Sequence, residues 1–335
     1  MKKLIVMLSL VSSSAFAGSI SLDARVDSDS ANYNTANGNK NYSKFYLQTG
    51  RVDFKGKATE ELSYRLRLRF NKTQAAVSTR DSLNDNVDYA AITHKMGDYS
   101  LTAGKFDIMT NGFEGATAGS DMYLTSAAYG ALTRYATGAN AAYVMGDHTF
   151  NLMAVNNKAD TASGQTRNMY GLVYKGTFME KALNVIASYH MLSTPYTENS
   201  SVNNHNDSFA TVGVQYKSTG WSTSLDYNMI TAVDTATAGK KDTTDSIVLN
   251  GSYDVNEMSA VKAKIESSTE KDGAANDAKT TTLGYGLAYE IKPIKDADFR
   301  YHVAYTNKDV KPETGDTKTE SHIIAGVKIV ADFLK

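Results

Sequence analysis

Tyr64-Arg65-Leu66-Arg67-Leu68-Arg69-Phe70 alternates apolar and cationic side chains without a break. Successive side chains of a β-strand point to opposite faces. The stretch therefore reads as a strand with Tyr64, Leu66, Leu68 and Phe70 on one face and Arg65, Arg67 and Arg69 on the other. A helix would scatter these arginines around its circumference. A wall that is apolar on one side and cationic on the other suits a transmembrane β-barrel around an aqueous lumen.

Similar segments recur along the chain, at about 20–27, 45–55, 62–72, 87–96, 99–107, 132–145, 149–156, 168–175, 183–191, 208–217, 221–229, 245–253, 259–267, 281–289, 299–306 and 321–333. Each approaches the roughly 9–11 residues that a tilted strand needs to cross a bilayer. Their number is sixteen, an even count that brings both termini to one side. Short turns, such as Met96-Gly97-Asp98, Gly146-Asp147-His148 and Ser218-Thr219-Gly220, take turns with longer polar connections at 28–41, 73–86, 157–167, 194–207, 231–244 and 268–280. Outer-membrane barrels alternate in this way, with short periplasmic turns and longer outer loops.

Several segments show a clean lipid face. Trp221, Thr223, Leu225, Tyr227 and Met229 oppose Ser222, Ser224, Asp226 and Asn228, and Val261, Ala263 and Ile265 oppose Lys262, Lys264 and Glu266. Tyr99, Trp221, Tyr253, Tyr289, Tyr301 and Phe333 fall near segment ends. Amphipathic rings concentrate there at headgroup depth. Pro195, Pro293 and Pro312 are the only prolines, and all three are expected outside the strands because proline cannot donate to a ladder.

The start of the chain sets its destination. Met1-Lys2-Lys3, an apolar run from Leu4 to Val11 and Ala15-Phe16-Ala17 form a secretory signal peptide. The run is too short for an uncleaved anchor. Cleavage after Ala17 leaves a barrel domain of residues 18–335 and a mature net charge of −3. That near-neutral balance argues against a nucleic-acid partner. No later stretch has the roughly 18 apolar residues of a membrane helix. The chain holds no cysteine, hence no disulfide.

One connection is unlike the rest. Residues 108–130, after the fifth segment, are rich in Gly, Ala, Ser and Thr. A loop of this length inside a compact domain is usually functional or disordered. Together with Gly50-Arg51-Val52-Asp53-Phe54-Lys55-Gly56, Leu62 to Arg67, Asp88-Tyr89-Ala90 and Leu101-Thr102-Ala103-Gly104-Lys105-Phe106, this layout resembles a Gram-negative outer-membrane porin, in particular the phosphate-selective O and P type. The resemblance implies that the third outer loop, 108–130, folds into the lumen. It implies a constriction in which Glu114 and Asp121 face the arginines, and it implies a homotrimer. The C-terminus departs from the pattern, since Phe333 is followed by Leu334 and Lys335 rather than ending the chain.

The expected fold is an all-β, sixteen-stranded antiparallel transmembrane barrel in the outer membrane, in contact with lipids and lipopolysaccharide. The expected function is a water-filled channel for small hydrophilic solutes and ions, without a cofactor. Its wall near the constriction is cationic through Arg65, Arg67 and Arg69, with Arg51, Lys55 and Arg134 as neighbours. Aspartates such as Asp23, Asp53 and Asp226 on the same faces leave general diffusion and anion or phosphate selectivity both open. A non-channel barrel acting as an adhesin is a further alternative. An enzyme is not expected: His190 with Ser193 is the nearest pairing, and no nucleophile motif surrounds it.

Overall fold

The computed structural model describes residues 17–35, 38–71, 86–131, 134–156, 168–198, 201–233, 240–273 and 278–334. The strands are β1 Ala17–Thr35, β2 Gly38–Lys57, β3 Leu62–Arg69, β4 Val87–Met96, β5 Tyr99–Asp107, β6 Tyr135–Met145, β7 His148–Asn156 and β8 Asn168–Phe178. They continue as β9 Leu183–Glu198, β10 Ser201–Ser218, β11 Trp221–Val233, β12 Lys241–Asn256, β13 Ser259–Asp272, β14 Ala278–Ile291, β15 Asp298–Pro312 and β16 Lys318–Leu334. Each pairs antiparallel with its sequence neighbours, and β1 pairs with β16 to close the barrel. Closure leaves no sheet edge, which a lipid environment demands of β structure. No helix among the described residues is long and apolar enough to cross a membrane.

Period-two patterning places the side chains. On β11, Trp221, Leu225, Tyr227 and Met229 are exposed, while Ser224, Asp226 and Asn228 are buried. Tyr99, Trp221, Tyr253, Tyr289, Tyr301 and Phe333 are all exposed toward the turn ends of their strands. Tyr99 stacks on Tyr143 there at 4.8 Å between ring centroids. The turns are tight where Gly97, Gly146 and Gly220 supply positive φ.

The strands run longer than the alternation predicts. β1 and β2 take up all but two residues of the expected connection 28–41, and β9 and β10 do the same to 194–207. The connections 231–244 and 268–280 shrink likewise. Above the bilayer both strand faces meet water, so alternation disappears while the backbone ladder continues. Two prolines consequently lie inside strands: Pro195 in β9, opposite Asn204, and Pro312 as the last residue of β15. The Glu313 amide donates to the Lys279 carbonyl at 2.6 Å. The adjacent pair Thr280–Pro312 is then a non-hydrogen-bonded pair, so the Pro312 nitrogen faces the β16 side, where the ladder has already ended at Val310–Lys318 and a missing N–H costs nothing. Phe70 falls just past β3, its amide donating to the Gly50 carbonyl. The expected leader lies outside the described residues except Ala17, as do the connections 73–86, except Asn86, and 157–167.

Candidate pore constriction

The arginine ladder occupies β3. Register sets Arg69 opposite Arg51, Arg67 opposite Asp53 and Arg65 opposite Lys55 on β2, and Arg67 opposite Tyr89 on β4. Like charges this close require carboxylates, and the neighbouring strands provide them. Arg65 donates to both Asp53 oxygens, Nε to Oδ1 at 3.0 Å and Nη2 to Oδ2 at 2.6 Å. Lys55 lies 3.3 Å from the same carboxylate. Fully buried Asp88 serves three guanidinium groups through Oδ2: Arg69 at 3.0 Å, Arg67 at 3.3 Å and Arg51 at 3.5 Å. Arg51 also stands 3.7 Å from Asp23. Tyrosine rings fix the planes of the guanidinium groups. Arg65 lies 3.9 Å and Arg67 4.5 Å from the Tyr89 ring centroid, and Arg67 donates to the Tyr135 hydroxyl. Arg134 stands beside the ladder, with Nε 3.0 Å from Asp107 Oδ2 and Nη1 donating to the Tyr129 hydroxyl.

The segment after β5 contains helix α1 Gly112–Ala116, a 3-10 turn Gly119–Asp121 and helix α2 Ala127–Ala131. Its start is fixed by the Ile108 amide donating to the Arg134 carbonyl and by His190 Nε2 at 2.9 Å from the Ile108 carbonyl. At the N-terminus of α1, the Phe113 and Glu114 amides donate to Asp226 Oδ1 and Oδ2 at 2.8 and 2.9 Å. A carboxylate caps these otherwise unpaired donors. Gly112, at φ 56°, is required: a Cβ there would stand 2.2 Å from Asp226 Oδ1. Arg25 stacks over Tyr123 and donates to the carbonyls of Ser120 and Met122. Tyr123 donates to Glu290 at 2.9 Å, and the Ala127 amide to Glu266 at 2.9 Å.

The segment's two acids do not meet the ladder, contrary to expectation. Buried Glu114 pairs with Lys264 and accepts from the Ser126 amide at 2.8 Å and the Ser126 hydroxyl. Asp121 is held by Lys328 at 2.7 Å, Lys262 at 3.0 Å and Arg300 at 3.4 Å. Burial alone would raise the Asp121 carboxyl, but Lys262 and Lys328 hold it well below the usual carboxylate range. The acids opposite Arg65, Arg67 and Arg69 are instead Asp53 and Asp88 on adjacent strands. Strand alternation marks a face and leaves open which partner stands across it. For that reason nothing local marks Tyr135 and Lys328 as partners, Arg300 is legible only as part of a polar face, and Asp88 only within the resemblance to the porin family. Lys262 and Lys264 were legible as a cationic face but not as the anchor of the segment. His190 is buried beneath the segment rather than open to solvent, and the side chain of Ser193 lies outside the described residues.

A cavity of about 1100 Å³ extends from the turn end, at Gly18 and Lys57, to the segment at Met109 and Ala118. Among the described residues its cations are Arg51, Lys55, Lys57, Arg65, Arg67, Arg134 and Lys175, against Asp23 and Asp107 as lining carboxylates.

The profile of the phosphate-selective porin O and P family matches residues 20–255, which include the whole ladder and the segment. The chain belongs to this family. The porin has no match among curated proteins. Among solved structures it is similar to the outer-membrane channel DcaP of Acinetobacter baumannii, at 11% identity and TM-score 0.68, over 94% of this chain and 97% of that one. It is also similar to the anion-selective porin of Comamonas acidovorans, at 12% identity and TM-score 0.64, over 94% and 100% of the two chains. The trimer form of OmpT, an outer-membrane protein of Vibrio cholerae, follows at 14% identity and TM-score 0.63, over 94% and 100%. At these identities the likeness is one of fold. Fold and family together make the protein an outer-membrane channel for small solutes.

Proposed function

We propose that the porin is a general diffusion channel whose narrowest part is walled by Arg51, Arg65, Arg67 and Arg69, and that segment 108–131 lies across the lumen. Contacts of the segment with the polar faces of β1, β9, β11, β13, β14, β15 and β16 support that placement. A sixteen-stranded barrel is wide enough to hold water. The observation that carries the reading is the 1100 Å³ cavity left between the segment and the ladder, lined by charged, polar and apolar groups that include Arg51, Arg65 and Arg67, with Arg69 outside the lining and held by Asp88. The open route then passes the arginines, while Glu114 and Asp121 anchor the segment to the opposite wall. Lys55 and Arg134 flank the route, and all eight residues act by fixed charge or by positioning.

A second reading, marked anion preference, is favoured by seven lining cations against two lining carboxylates. The family's description and the anion-selective relative point the same way. The exposed apolar faces contact outer-membrane lipid, including lipopolysaccharide. We also infer a homotrimer, by analogy with the trimer form of OmpT, with chemical cross-linking in mild detergent as its check. No catalytic role is assigned to any residue.

Planar-bilayer recording of the purified protein tests both readings. Step-like currents are expected, and their absence refutes the channel. The reversal potential in a KCl gradient separates weak from marked anion preference. Replacing Arg65, Arg67 and Arg69 together with Gln is expected to move it toward cations. No movement would remove the ladder from the narrow part of the route.

A further inference from the structure

We propose that the channel rectifies, because the fixed charge of its lumen is divided along the barrel axis. The inference rests on the placement of segment 108–131 across the lumen, with one chamber toward the turns and one toward the outer loops. On the turn side lies the cavity with seven cationic side chains and two carboxylates. Asp53, Asp88 and Arg69 adjoin this lining, Asp53 paired to Arg65 and Asp88 to Arg69, so eight cations face four carboxylates.

On the loop side the balance reverses among the described residues. Asp29 shares a face of β1 with Arg25 and Asp27, and Glu320 shares a face of β16 with Lys328. By the same period of two, Glu266, Glu270 and Asp272 share the polar face of β13, while Asp207 and Asp242 take the polar faces of β10 and β12. Four lysines stand against these seven carboxylates: Lys40, Lys44, Lys308 and Lys318. Part of this charge is balanced internally, since Lys308 pairs with Glu266 and His322 bridges Asp29 and Glu320. An acidic excess remains.

Such a pore behaves as two oppositely charged segments in series. Mobile cations concentrate in the acidic chamber and mobile anions in the cationic one. A potential positive on the loop side drives both populations toward the junction and raises the number of carriers there. The opposite potential draws both away and depletes it. Current from the loop side to the turn side therefore exceeds current the other way. The Debye length is about 10 Å at 0.1 M and about 3 Å at 1 M salt. Wall charge reaches across an open lumen only in the first case, so the asymmetry belongs to low salt.

Single-channel recording in symmetric KCl tests this. The ratio of currents at equal and opposite voltages is expected to be roughly twofold or more at 0.1 M and to approach one above 1 M. The chain lacks cysteine, so Lys55→Cys, at a half-exposed position in the cationic chamber, carries the only thiol. A cationic methanethiosulfonate reagent on that variant is expected to restore the wild-type ratio, and an anionic one to move it toward one. Equal currents of both polarities in 0.1 M KCl overturn the proposal while leaving the porin reading intact. A ratio that responds identically to both reagents overturns the assignment of the cationic chamber. Absence of any current refutes the porin reading beneath it.

Discussion

Asp88→Asn is the sharpest perturbation of the ladder. The substitution keeps side-chain shape and removes one charge from the centre of three guanidinium groups, at 3.0, 3.3 and 3.5 Å. At an effective dielectric constant of 20, each contact of this length carries about 5 kcal/mol of Coulomb energy before desolvation is counted. Those contributions do not add, because the guanidinium groups repel one another and retain other contacts. Removing one partner of a buried ion pair typically costs about 3–5 kcal/mol, and that is the expected loss of stability here. The same change leaves the lumen one positive charge richer. Urea unfolding of the barrel in detergent, followed by tryptophan fluorescence, reads the first effect through Trp221, the only tryptophan. The reversal potential in a KCl gradient reads the second and is expected to shift toward anions. A variant as stable as the parent, with unchanged selectivity, would refute the reasoning. It would mean that the guanidinium groups are balanced elsewhere.

Other expectations follow from the segment. Asp226→Asn keeps one acceptor for the Phe113 and Glu114 amides and turns an NH2 toward the other, a loss of about 2–3 kcal/mol; extra brief closures in single-channel records check it, and a quiet channel counts against the cap. Gly112→Ala combines positive φ with a Cβ 2.2 Å from Asp226 Oδ1, so it is expected to disturb α1 by at least about 1 kcal/mol and to produce the same closures. The Asp121 carboxyl is held below its unfolded value, so its anchoring contribution is full above the ordinary carboxylate pKa near 4 and is lost only as pH falls through the lower folded value. Conductance is therefore expected to keep its open-state noise level at pH 5. Asp121→Asn is expected to be noisier at every pH; equal noise in variant and parent would show that Lys262, Lys328 and Arg300 do not hold the segment through Asp121.

Much of the barrel was legible because lipid on one face and water on the other impose a period of two. The faces of β3, β11 and β13 could be read residue by residue. The strand ends could not, since the signal is a contrast between two environments and vanishes where water bathes both faces. Pro195 and Pro312 lie in strands for this reason, and four of the expected outer connections are shorter than the alternation predicts. Arg65, Arg67 and Arg69 were legible as a cationic face, while their carboxylates were not. Asp88 reads as an ordinary strand residue until β4 is set beside β3.

By itself, the sequence determined a closed antiparallel barrel, its sixteen strands and the chemistry of each strand's two faces. Alternation is a local property, fixed by backbone geometry whatever stands across the lumen. Which charge answers which was decided only by the tertiary structure. Closing the barrel brings β13, β15 and β16 to the segment that leaves β5, so Asp121 meets Lys262, Arg300 and Lys328 instead of the ladder. Coulomb energy depends on separation in space, and residues 141 to 207 positions apart in the chain carry no local mark of standing about 3 Å apart.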